Sequence, residues 1–250
     1  MQQLISLLDQ PTVLAFSLLL ARVLSFMAFM PIVGDKIVNP TIRIAISFYI
    51  TVFLFPMVDY HHLNVTSDTF ILALLSEMTL GLVSAMLVKI VFLAVQISGD
   101  LIGYAAGLSM ANMFDPASGT QQGVISRLLY YIVLVVYLES GMFEVTLYML
   151  GTSFDRISLG TFNLYDYDGM MFAVNEVKTM FAFAFSFALP LFFVAFIMDV
   201  YYGYGTKSMP SFSPFVITFQ IKFTLIFIFM MLGLEVFTNS FIAYFTAKLQ

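Results

Sequence analysis

Residues 170–202 read MMFAVNEVKTMFAFAFSFALPLFFVAFIMDVYY, and this stretch decides the fold. Phe181, Phe183, Phe185 and Phe187 alternate as residues on one face of a strand would. Ala182 and Ala184 between them, and Ala188 just after, are apolar as well, so apart from Ser186 what alternates is size and not polarity. A strand crossing lipid covers about 10 residues of alternating polarity, whereas this run stays apolar for far longer. A membrane helix needs about 20 mostly apolar residues, and the stretch exceeds that, with Pro190 in its interior. It reads as a helix.

Working outward, comparable apolar runs occupy Val13 to Val33, Ile42 to Val58, Phe70 to Ile97, Val124 to Leu150 and Phe215 to about Ala247. The third is too long for an upright span and must tilt, kink or project beyond the lipid. Between the runs lie turn-forming and polar segments: Gly34-Asp35-Lys36 with Asn39-Pro40, Asp59 to Asp68, Gly151 to Gly169 and Gly203 to Pro214. A Gly-rich helical piece, Gly99 to Ala111, breaks at Phe114-Asp115-Pro116-Ala117-Ser118-Gly119. There is no internal repeat and no low-complexity linker, so residues 1–250 read as one all-α integral-membrane domain.

Composition agrees. Hydrophobic residues make up 61% of the chain and charged residues 10%, against roughly 45–50% and 25% for soluble domains. No soluble core hides that much apolar surface; lipid or other protein chains must cover it. The net charge of −5 comes without a basic block, which gives no sign of nucleic-acid binding. The lack of cysteine excludes disulfides, Cys-ligated zinc and thiol catalysis. With no Trp, the 13 Tyr must supply any interfacial aromatic belt. Met1 to Thr12 contains no Lys or Arg, so no cleavable signal peptide is expected. Lys36 and Arg43 in the first loop favour an outside N-terminus.

The charges carry the most information. Arg22, Glu77, Lys89, Glu139, Glu144, Lys178, Asp199, Lys222 and Glu235 lie within or at the edge of apolar runs. At about 2.5–3.5 kcal/mol each, exposure of all nine to lipid would cost on the order of 20–30 kcal/mol, above the usual folding stability of about 5–15 kcal/mol. Arg22, Glu77, Lys89, Lys178, Asp199 and Lys222 are therefore expected to be buried charges, paired within the chain, lining a watery cavity, snorkelling, or set against another subunit where the assembly rises out of the bilayer. Glu77 and Lys89 share a helical face but are too far apart to touch, so their partners must come from other helices.

Gly99, Gly103, Gly107 and Ala111 recur every fourth residue. Such small-residue spacing lets a second helix approach closely, whether from this chain or a partner. In the break that follows, Asp115 suits a helix cap with Pro116 in the first turn. Non-helical backbone at membrane depth is tolerated only against protein or water. The soft side chains of Met110, Met113 and Phe114 suit closure of a pore, although the motif in isolation is a capped turn. His61 and His62 read as exposed loop residues. No P-loop, dinucleotide motif, nucleophile elbow or intramembrane protease signature occurs.

The order of several short motifs resembles the FliR family of flagellar export proteins, related to the T-type export-gate subunits of virulence type III secretion. They are Pro31-Ile32-Val33-Gly34, Asn39-Pro40-Thr41-Ile42-Arg43, Pro56, Glu77, Gly81, Gly99, Ile102 and Gly107-Leu108-Ser109. They continue through Phe114 to Gly119 with Ser126-Arg127, then Ser153-Phe154, Leu159-Gly160, Leu189-Pro190, Asp199 and Lys222. The chain departs from the family at Ser158, Lys207 and Pro210-Ser211-Phe212-Ser213.

The resemblance implies helical hairpins assembled with FliP and FliQ, joined by FlhB, into a helical multi-subunit gate in the bacterial inner membrane at the flagellar basal body. Such a gate passes unfolded flagellar proteins, needs no cofactor and is not an enzyme. It sits largely above the lipid plane, with charges facing sister subunits. Met110, Asn112, Met113, Phe114, Asp115, Pro116 and Gly119 match the family's pore plug, with Gly107 and Gly119 as its hinges. The rival readings are an ion-coupled secondary transporter, with Glu77, Lys89 and Asp199 as a relay, although such folds usually show repeated halves, and an export-gate subunit of a virulence type III secretion system.

Overall fold

The structure, a computed structural model, describes residues 10–34, 38–60, 65, 69–108, 123–162, 168–208 and 214–249. Its elements are α1 (Gln10–Phe29), α2 (Pro40–Leu54) with a short 3-10 turn (Phe55–Met57), α3 (Phe70–Ala105), α4 (Val124–Glu139), α5 (Met142–Arg156), α6 (Gly169–Ser208), α7 (Pro214–Leu232) and α8 (Leu234–Leu249). Among the described residues there is no strand. Among the described residues four helices are long and apolar enough to cross a membrane, and two broken pairs raise the number to as many as six. The protein is an all-α membrane protein.

Helix starts follow ordinary capping chemistry. Asn39 accepts a hydrogen bond from the Thr41 N–H, with Pro40 in the first turn of α2. The Asp168 carboxylate does the same for the Met171 N–H at the start of α6.

Three expected boundaries move, each at a glycine. Phe70–Ile97 and the Gly-rich piece form one helix, α3, which stops before Ala111. Gly107 has φ +80°, its N–H bonds the Tyr104 carbonyl, and the Leu108 N–H bonds the Gly103 carbonyl. This is a Schellman termination, which glycine permits without steric penalty. The run from Val124 to Leu150 divides at Gly141, whose φ is +71°. The last run divides at Gly233, where the helix axis bends by 56°. Hydropathy cannot see either break, because apolar residues flank both.

The breaks also reassign three charges. Glu139 ends α4, while Glu144 and Glu235 sit in the first turns of α5 and α8. An acidic side chain at a helix N-terminus is favoured by the helix dipole.

The chain forms two compact units, residues 1–89 with 138–173, and 90–137 with 174–250. In the first, Leu18, Leu19, Val23, Phe26, Met27 and Met30 of α1 pack with Ala73 and Ala85 of α3, Leu150 and Phe154 of α5, and Leu159. In the second, the alternating phenylalanines divide as a helix requires. Phe183 and Phe187 pack on Phe237, and Phe183 stacks on Tyr244, while Phe181 and Phe185 are exposed. Phe92 joins Tyr130, Tyr137 and Phe241 in a second aromatic group.

Candidate functional site

The expected plug residues Met110, Asn112, Met113, Phe114, Asp115, Pro116 and Gly119, together with Ala111, lie outside the described residues, as do His61 and His62. Both feet of that segment are described. On the α3 side, the helix terminates at Gly107 as above. On the α4 side, the Gly123 N–H donates to Asp100 Oδ1 at 3.2 Å and the Ser126 hydroxyl donates to the Gln96 carbonyl at 2.9 Å. Gly99 makes this contact possible, since a Cβ there would overlap Ser126 Cα and stand 2.8 Å from its backbone nitrogen.

The glycine stripe therefore has three separate roles. Gly99 admits α4 of the same chain, Gly107 ends α3, and Gly103 has no heavy atom of another described residue within 4 Å of where a Cβ would be.

Of the six charges expected to be buried, the chain by itself encloses three, Arg22, Glu77 and Lys222. Arg22 and Glu77 are both 0% exposed, with Arg22 Nε donating to Glu77 Oε2 at 2.5 Å. The remaining guanidinium donors reach the Ile157 carbonyl at 3.1 Å and the Ser153 carbonyl at 3.4 Å. The other carboxylate oxygen accepts the Gly160 N–H at 2.8 Å. Phe154 caps the guanidinium face at 4.4 Å. Gly81, one turn beyond Glu77, leaves room for the Arg22 carbonyl, which a Cβ would overlap. Buried ions persist only when paired and hydrogen-bonded throughout, and these two meet that condition. Together they tie α1, α3 and residues 153–160 into one lock.

Lys222 is bound to both oxygens of Asp199, at 2.8 and 2.7 Å, but Asp199 keeps 56% of its side chain exposed. Lys89 is half-buried with its ammonium 5.3 Å from the Phe29 ring centre. Lys178 is exposed and pairs with no described residue. The physical reason is that α6 buries a narrow stripe, Glu176, Met180, Ala184, Ala188, Leu191 and Ala195, and Lys178 and Asp199 lie off it.

That stripe contains an ion the sequence reading missed. Glu176 Oε2 accepts from Lys248 Nζ at 2.6 Å, and Lys248 also reaches the Thr179 hydroxyl at 2.9 Å. No local spacing in the sequence links positions as distant as 176 and 248. Replacing Glu176 by Gln is expected to destabilise by about 1–3 kcal/mol, because a largely buried ammonium loses its counter-charge. The check is a lower midpoint for thermal aggregation of the detergent-purified protein.

Among the described residues, no cluster of three or more His, Cys, Asp or Glu could hold a metal ion.

Comparison with known proteins gives one consistent result. The model of bacterial export proteins, family 1, matches residues 13–247. The flagellar biosynthetic protein FliR of Bacillus subtilis is 26% identical over 224 residues, covering 89% of this chain and 86% of its own length. FliR of Aquifex aeolicus is 25% identical, covering 87% and 84% respectively. The Yop proteins translocation protein T of Yersinia pestis is 22% identical, covering 86% and 84%.

Proposed function

This chain belongs to the bacterial export proteins, family 1, within which it is a FliR-type flagellar type III export component, and we propose that it is a pore-forming, non-enzymatic subunit of the export gate. In this reading it resides in the inner membrane at the flagellar basal body. It assembles with FliP, FliQ and FlhB and passes unfolded flagellar proteins. Residues 110–119 plug the conduit, with Met110, Met113 and Phe114 supplying the soft contact and Gly107 and Gly119 acting as hinges.

The observation that carries the plug assignment is the construction of its base. Asp100, Gln96 and Gly99 hold Gly123 and Ser126 against α3, so the helices on either side of the segment are packed together. A segment that must seal at rest and yield during transport needs anchored ends and a deformable middle. The rival relay reading is less well supported: Glu77 has both oxygens engaged and Asp199 is held by Lys222.

Deleting part of 110–119, in cells that also express the companion subunits, tests the proposal. The expected result is a several-fold rise in passive leakage of ions or small solutes across the inner membrane. Normal leakage together with normal export would remove the plug assignment.

A further inference from the structure

From Lys178 to Asp199, α6 carries no charged residue. At about 1.5 Å per residue the helix rises roughly 31 Å between them, close to the roughly 30 Å of a bilayer's hydrocarbon core. Along this length one side of the helix is uncovered by the described residues. Phe181, Phe185, Leu189, Phe192 and Phe196 are each between 42% and 56% exposed. We infer that this face of α6 is the protein's lipid-contact belt, with Lys178 at one edge of the hydrocarbon and Asp199 at the other.

The ends of the belt are built as interfaces. Lys178 is exposed and unpaired among the described residues, and its long stem lets the ammonium reach the headgroups. At the opposite edge, Asp199 is half exposed while bound to Lys222, an arrangement suited to the wet boundary of a bilayer and not to its centre. Just beyond it stand the exposed Tyr201 and Tyr204 and then Lys207, matching the interfacial preference of tyrosine.

The competing occupant is a companion helix, and the distribution of side-chain size argues against it here. Helix–helix contacts in membranes favour small residues, which let backbones approach. On α6 the small residues Ala184, Ala188 and Ala195 are buried, while Phe181, Phe185, Leu189, Phe192 and Phe196 are left outside and flank the exposed Ala182. Ser186 is also exposed, but its hydroxyl is satisfied by the Phe183 carbonyl at 2.7 Å. The other arm of the same hairpin differs. Phe237 of α8 packs against Phe183 and Phe187, so the exposed Glu235 and Asn239 on that arm lie at the depth of the belt. Lipid suits α6 and not α8. The belt also limits how far the assembly rises out of the bilayer.

The inference needs only the membrane location of the chain and does not depend on the pore reading. The chain has no native cysteine, so Leu189→Cys can carry a bimane label in the gate complex, with the cysteine-free parent chain in the same complex as background. The complex is placed in nanodiscs of phosphatidylethanolamine and phosphatidylglycerol containing acyl-chain doxyl lipid. In parallel, photoreactive benzoylphenylalanine replaces Phe185 or Phe192 in cells. The expected results are strong quenching at position 189 by the doxyl lipid, little quenching by aqueous iodide, and no protein adduct at 185 or 192. Adducts to a companion subunit at both positions, or iodide quenching exceeding that by doxyl lipid, would overturn the belt. Either outcome would leave the leakage test unaffected.

Discussion

Arg22→Met is expected to leave little intact protein in the membrane fraction. The substitution keeps most of the side chain's volume but strands the Glu77 carboxylate, which is 0% exposed, with the Gly160 N–H as its remaining partner. Removing one member of a buried ion pair costs about 3–5 kcal/mol, a large share of a typical stability of about 5–15 kcal/mol. Two companion variants show what kind of lock this is. Exchanging the charges, R22E with E77R, restores opposite signs but gives the Gly160 N–H no acceptor and the Ile157 carbonyl no donor. It should rescue nothing. The apolar pair R22M with E77L removes both ions and leaves only those backbone groups unsatisfied, at about 1–3 kcal/mol each, so its level should lie above that of the single R22M variant. Immunoblotting of membrane fractions, with limited proteolysis, ranks the four proteins. Parental levels and protease resistance for R22M would show that the lock contributes nothing.

The second large effect contrasts two glycines that look equivalent in the sequence. Gly99→Ala places a methyl group against Ser126 backbone, so α3 and α4 must separate and the Ser126–Gln96 and Gly123–Asp100 hydrogen bonds are strained or lost. Overpacking of this kind costs about 1–3 kcal/mol, and here it falls on the base of the proposed plug. Gly103→Ala adds the same methyl group where no described residue lies within 4 Å, and it removes a helix-interior glycine, which favours the helix by roughly 0.5–1 kcal/mol. Swarm diameter in soft agar, alongside secreted flagellin, should fall sharply for the first variant and stay at the parental level for the second. Equal behaviour of the two would contradict the close approach at Gly99.

How much of this was legible in the sequence follows from the range of each interaction. The helical class was readable, because it depends on long apolar runs that any ordering of nearby residues preserves. So was the need to shield Arg22 and Glu77, because the cost of an ion in lipid is independent of fold. The identity of their partners was not, since Ser153, Ile157 and Gly160 reach them across most of the first unit. The breaks at Gly141 and Gly233 escaped because glycine within an apolar run carries no hydropathy signal, and only backbone geometry separates a tolerated glycine from a terminating one. For the same reason Gly99, Gly103 and Gly107 formed a single pattern in one dimension and have three roles in space. Lys178 was grouped with the buried charges because position along a helix says nothing about which side of it the rest of the chain covers.

The lock around Arg22 also bears on how the protein is made. Arg22 and Glu77 leave the ribosome long before Gly160, and residues 90–137, which belong to the other unit, are synthesised in between. During that interval the nascent chain holds an Arg–Glu pair whose outer hydrogen-bonding positions are still vacant. Neither unit is contiguous in the order of synthesis, so insertion cannot proceed as two independent events, one after the other. A nascent chain arrested before residue 160 carries an incomplete polar centre and is a natural client for membrane quality control. Release of the middle of the chain, more than of its N-terminal end, marks the point at which the first unit becomes able to close.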